Sequence, residues 1–154
     1  MPEKTRFTFE DPATHVHLGF VQGIVTRLAG NSAAVKTWCA AIIAGILAVG
    51  ADTLSTRKII VALFVVFAFA FMDAYYLSLE RDYRKIHRGL VDDLKGGGIP
   101  PEKLFALTIH KDKEGTRRIR KTLVAFGSRS VWPFYGVLLV GLGVLAYGGL
   151  VSSS

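Results

Sequence analysis

The chain carries a single cysteine, Cys39, among its 154 residues. One thiol excludes a disulfide framework and a multi-cysteine metal site. Charge is missing altogether from residues 59–72, an unbroken apolar run. Residues 137–151 are apolar or glycine except for Tyr147, and no lysine or arginine follows Arg129. Nothing has the Ser-His-Asp order, the zinc motif or the phosphate loop of a catalytic site. Gly96-Gly97-Gly98 lacks the lysine and the strand–helix context of a nucleotide loop. His15 and His17 are two apart and do not share a helix face. His87 and His110 are distant from them in sequence. The expectation is therefore no enzyme, no cofactor and no metal site. The first 30 residues are polar or amphipathic, so a cleavable signal peptide is not expected.

What is present is apolar length. The apolar share is 51%, concentrated in three stretches at 33–50, 59–76 and 131–151. Each is close to the roughly 20 residues that cross a bilayer as a helix. The expected class is an all-α integral membrane protein of one small domain. It would have three transmembrane helices with amphipathic cytoplasmic helices, assembled as a symmetric homo-oligomer. Charge sets the orientation. Lys4, Arg6, Arg27 and Lys36 precede the first stretch, and only Arg57 and Lys58 separate the first two. Thirteen lysines and arginines lie between Arg81 and Arg129. Basic residues stay on the cytoplasmic side, which puts the N-terminus inside and the C-terminus outside. The net charge of +7 follows from that topology and favours contact with anionic lipid heads.

Residues 1–12 read as a polar tail. In 13–32, Phe20, Ile24 and Leu28 recur every four residues, the stripe of an amphipathic cytoplasmic helix. Asn31-Ser32 could cap it before the first span, or the two pieces could form one long helix, since no proline intervenes. The first span is rich in small residues, with Ala40, Ala44 and Ala48 on one face and Ala41 and Gly45 on another. Such faces let helix backbones approach closely in lipid. The second span is bulky, with Phe64, Phe67, Phe69 and Phe71. In the third, Gly136 and Gly143, and Gly141 and Gly148, are seven apart. Residues 77–130 form the basic cytoplasmic segment. Its first part continues the second helix through 73–94, with Glu80 four residues before Arg84. The run 96–101 ends that helix, and Pro101 opens a short one through 109. Residues 110–114 read as a loop. Residues 116–126 read as a basic interfacial helix leading to Trp132 and Tyr135, placed as an aromatic belt.

Asp73 falls near the inner end of the second span. Lys36 is at the matching end of the first, and Arg129 just before the third. A carboxylate at that depth is costly unless paired or snorkelled. The structural reading is an ion pair of Asp73 with Lys36 or Arg129 that fixes register. The functional reading places Asp73 at the inner mouth of a cation pathway. Phe64, Phe67 and Phe71 share one face at i, i+3, i+7. They are lipid-facing or core, or they form a hydrophobic constriction in an oligomer. Arg117, Arg118, Arg120 and Lys121 suit phosphates of lipid or of a nucleotide ligand. Only Tyr83 is near enough to add base stacking.

Two clusters carry a resemblance. The first is His17, Leu18, Phe20, Gln22, Arg27, Asn31, Ser32, Lys36 and Trp38. The second is Asp73, Tyr75, Tyr76, Leu77, Glu80, Arg81 and Arg84. In this pattern the chain resembles small bacterial inner-membrane proteins associated with anti-phage defence loci. Its layout is similar to SLATT-type membrane effectors, including those of Hailong-type systems. The match covers residues 17–84. The resemblance implies a homo-oligomeric channel or pore in the bacterial inner membrane, a tetramer being one option, opened on infection to depolarise the cell. It also implies a nucleotide or oligonucleotide regulator made by a partner nucleotidyltransferase. The third apolar stretch departs from a plain two-span effector and leaves open which helix lines a pore. The competing reading is a non-conducting membrane scaffold that recruits a soluble partner.

Overall fold

The computed structural model describes residues 6–49, 55–105 and 114–152, with side chains described for 6–49, 55–105 and 119–148. Four α-helices and one short 3-10 turn run in the order α1 (Pro12–Ala48), α2 (Thr56–Lys95), the turn (Pro101–Lys103), α3 (Glu114–Phe126) and α4 (Trp132–Ser152). There is no strand among the described residues. The fold is all-helical, and α1 and α2 are each long and apolar enough to cross a membrane.

α1 is continuous. Pro12 occupies its first turn, where a missing N–H costs nothing, and no proline or helix-stopping cap follows until Val49. Of the two options for residues 13–50, one long helix is therefore the one adopted. Asn31 and Ser32 lie inside it and cap nothing. At 37 and 40 residues, α1 and α2 measure about 56 and 60 Å. That is about twice the hydrocarbon thickness of a bilayer. They form an antiparallel hairpin with an apolar half, charged only at Arg57 and Lys58 of its tip, at one end and a polar half at the other. α3 and α4 pack mainly on α2.

The apolar half is held by Cys39 and Ile43 of α1 against Ala62, Val66, Ala70 and Ala74 of α2, with Tyr135 and Leu142 of α4. The face of α2 that packs is thus its small one, at strict i, i+4 spacing. Reading α2 as simply bulky misplaced the close approach: the small face buried in the chain belongs to α2. Ala40, Ala41, Ala44, Gly45 and Ala48 of α1 are all exposed. So are Gly141, Gly143 and Gly148 of α4.

The polar half closes over a second cluster of Val21, Leu90, Leu94 and Ile99, flanked by Phe7, Leu18, Ile86 and Leu104. α2 ends at Gly96, whose N–H bonds back to the Asp92 carbonyl. Gly97 and Gly98 take φ of +107° and +119°, a backbone that favours glycine. The turn brings Ile99 beside Phe7, and the two exchange N–H···O bonds of 2.8 and 2.7 Å. The tail is therefore strapped over the end of α2 from residue 6 onward. A Cβ at Gly98 would lie 2.8 Å from the Phe7 carbonyl oxygen, so this close approach needs glycine. The helix expected from Pro101 is a single 3-10 turn, closed by Leu104 N–H on the Pro101 carbonyl. Residues 106–109 of that expectation, and the 110–113 part of the loop, lie outside the described residues.

Candidate functional site

The most concentrated chemistry lies where the apolar and polar halves of the hairpin meet. Helical spacing puts Ser32 and Lys36 on one α1 stripe, and α2 brings Asp73 opposite it. Asp73 is fully buried. Its Oδ1 accepts a short hydrogen bond from the Ser32 hydroxyl. Its Oδ2 lies 2.6 Å from Lys36 Nζ, and Lys36 Nζ also donates to Ser32 Oγ at 3.1 Å. The three side chains close a triangle in which one cation and one hydroxyl serve one carboxylate. A carboxylate fully removed from water is tolerated only with such partners. Of the two cations considered for Asp73, Lys36 holds it. Arg129 is exposed in the α3–α4 turn and takes no part, because α4 approaches α2 through Tyr135 instead. The Tyr135 hydroxyl donates to the Phe69 carbonyl at 3.3 Å.

Phe64, Phe67 and Phe71 are 74%, 54% and 51% exposed. They form an outward stripe apart from the buried cluster. Within one chain they make no constriction.

The signature residues divide by position. Glu80 accepts a 2.7 Å hydrogen bond from Arg84 Nε, the helical pair expected from their spacing. Gln22 and Arg84 line one groove of about 650 Å³ between α1 and α2, with His87 and Arg88. Arg27 is exposed and Asn31 half-buried. Tyr76 is half-buried with its ring edge-on to Tyr75. His17 is fully buried, with no hydrogen-bond partner on either ring nitrogen among the described residues. Its ring meets that of Phe105 edge-on at 5.2 Å. Burial holds the His17 imidazole below its ordinary value of 6.5.

Of the basic cluster, Arg120 and Lys121 are placed, whereas the side chains of Arg117 and Arg118 lie outside the described residues. Lys121 bonds Asp82 of α2 at 2.8 Å and so ties α3 to α2. Arg81 and Lys85 face the same cleft. Among the described residues no group of three or more His, Cys, Asp or Glu is placed to hold a metal.

Two partners, Asp82 and Phe105, are not singled out by the sequence, and Ser32 is named there only as a cap and within the resemblance pattern, although it stands four residues before Lys36, the spacing of a shared face. Asp82 carried no signal that it would meet Lys121, 39 positions away. Phe105 sits at φ +64°, a backbone no bulky residue advertises in sequence.

Comparison with protein-family models, with curated proteins and with solved structures returned no match.

Proposed function

We propose that this chain is a three-span, homo-oligomeric ion channel or pore of the bacterial inner membrane, acting as an effector in antiviral defence. Its N-terminus faces the cytoplasm. The observation that carries the reading is the buried Asp73–Ser32–Lys36 triangle at the inner end of two apolar helices. Ionisable residues at membrane depth are functional-site candidates by default. Held by Lys36, the carboxylate presents no charge to an ion path, as a closed state requires. Sliding or rotation of α1 against α2 parts the pair and bares Asp73. A ring of such carboxylates at an inner mouth favours cations.

Assembly is supported by the faces left empty. Ala40, Ala41, Ala44, Gly45 and Ala48 of α1 and Gly141, Gly143 and Gly148 of α4 are exposed, and lipid-phase association uses such faces. α4 supplies the third span: it has 21 residues, its apolar stretch covering Trp132–Gly148. In a ring, the Phe64, Phe67 and Phe71 stripe lines the lumen as a hydrophobic constriction or faces lipid. The polar halves of α1 and α2 form a cytoplasmic collar where a nucleotide regulator would act. The defence role and that regulator rest on the resemblance of residues 17–84.

The test is potassium flux from liposomes carrying the purified protein, with oligomer mass measured in the same detergent. Flux from a defined ring, or a sealed ring that leaks on Lys36→Gln, supports the channel. Flux unchanged by Asp73→Asn and by alanine at Phe64, Phe67 and Phe71 removes the pore assignment. A scaffold is the second reading, favoured by the pairing of Asp73 with Ser32 and Lys36 within one chain. A sealed monomer that co-purifies with a stoichiometric soluble protein would establish it.

A further inference from the structure

The cleft between α2 and α3 is a cavity of about 290 Å³ with Ser78, Arg81 and Lys85 on one wall and Arg120 and Val124 on the other. Asp82 is its one carboxylate. It is engaged by Lys121 at 2.8 Å and approached by Lys85 at 3.9 Å. Arg81 and Arg120 have no carboxylate partner among the described residues, and both are exposed. Two guanidinium groups left unpaired in one concave site present the donors that phosphate oxygens take, while the Ser78 hydroxyl on the same wall already donates to the Tyr75 carbonyl at 2.8 Å.

Its place selects the source of the phosphate. Counted from residue 76, where the apolar stretch of α2 ends, Ser78 lies about 3 Å and Arg81 about 8 Å further along the axis. The headgroup layer on one side of a bilayer is of that thickness, about 5 to 8 Å. On α3, Ile119 and Leu123 form an exposed apolar stripe at i, i+4, next to the stripe of Arg120 and Val124. Thr122 and Ala125 are the residues that turn inward onto α2. A phosphate held by Arg81 and Arg120 would have acyl chains running along Ile119 and Leu123. A free anion would leave that apolar stripe in water.

We infer that this cleft is a phosphate-ester site whose occupant is the headgroup of an anionic phospholipid of the inner leaflet. The depth argument rests on the membrane-spanning placement of α2 proposed above. The site itself needs no ion conduction, so it can stand where the channel reading falls. Lipid here would bridge α2 and α3 beside the Lys121–Asp82 tie and fix α3 on the bilayer surface.

The experiment is native mass spectrometry of the full chain in detergent, titrated separately with phosphatidylglycerol, phosphatidylcholine and ATP. The wild type should retain about one phosphatidylglycerol per protomer and prefer it over phosphatidylcholine. Arg81→Gln/Arg120→Gln should weaken that binding by about tenfold or more, the scale of one charge-assisted contact. Arg88→Gln/Lys95→Gln removes the same charge outside the cleft and should change it by less than about threefold. These four side chains are exposed, so the substitutions leave both apolar clusters intact. Equal losses in the two variants would overturn the site in favour of a diffuse basic collar. Absence of lipid preference in the wild type would overturn it also. Tight ATP binding without lipid preference, lost in Arg81→Gln/Arg120→Gln, would overturn the lipid as occupant and assign the cleft to a soluble phosphate.

Discussion

Asp73 and Lys36 are the pair on which most depends at the scale of single residues. Removing one partner of a buried pair strands the other charge, which costs about 3 to 5 kcal/mol. Lys36 keeps some contact with water, so the lower end applies. Lys36→Met should therefore lower stability by about 3 kcal/mol in detergent unfolding. Lys36→Met/Asp73→Leu should recover most of that loss, because no unpaired charge remains. A double variant as unstable as the single one would mean that the triangle does more than satisfy Asp73. His17 gives a second outcome. Its docked imidazole binds a proton less readily than a free one, since burial lowers its pKa. Above about pH 6.5 both forms are neutral and the difference is silent. As pH falls below that, the undocked segment takes up the proton and docking weakens. Protection of the Phe7 and Ile99 amides, taken relative to the intrinsic exchange rate at each pH, should fall between about pH 7.5 and 5.5 in the wild type and stay level in His17→Phe.

At the scale of elements, the strap and the two kinds of helix face separate cleanly. Gly98→Ala drives a Cβ into the Phe7 carbonyl at a positive φ. Strain of this kind costs about 1 to 3 kcal/mol. Protection of the Phe7 and Ile99 amides should fall about tenfold or more, with the α1–α2 membrane half unchanged. Ala70 and Ala44 test the faces. Ala70→Leu overpacks the α1–α2 contact and should cost about 1 to 3 kcal/mol of unfolding stability. Ala44→Leu adds bulk to an exposed face and should leave stability intact while reducing oligomer mass.

Where α2 runs and where it stops are legible in the sequence for physical reasons. A charge-free run such as 59–72 has only one low-energy form in lipid, and Gly96-Gly97-Gly98 stops α2 where a chain reversal needs positive φ. Rotation about each helix axis was not legible. The sequence offers two candidate faces on α2, Ala62–Ala70–Ala74 and Phe64–Phe67–Phe71, and both repeat at helical spacing. Which one packs depends on Cys39 and Ile43 across the interface, a long-range choice. The same limit applied at the site. Lys36 and Asp73 sit at matching depths and could be paired by counting residues, but Ser32 as the third partner depends on the roll of α1. Asp82 with Lys121 depends on how α3 folds back.

At the scale of the whole molecule, the proposed assembly rests on the apolar faces that one chain leaves exposed. The apolar half exposes bulky side chains of α2 together with small faces of α1 and α4. Lipid can cover the first, whereas close backbone approach by another copy best uses the second. The polar half has its own apolar cluster and its own strap, joined to the apolar half through the unbroken helices α1 and α2. The Asp73 triangle sits at the joint between them. On the proposed function, a shift there would couple a cytoplasmic event to the membrane helices through two discrete arrangements, paired and parted.

The most direct test of this account is potassium flux from liposomes containing wild-type protein and Lys36→Gln, each with its oligomer mass known. The account predicts a ring in both cases and a faster leak from Lys36→Gln, because Asp73 is released from its partner. A ring that stays equally sealed or equally leaky in both would contradict the triangle as the gate, and a monomer would contradict the channel itself.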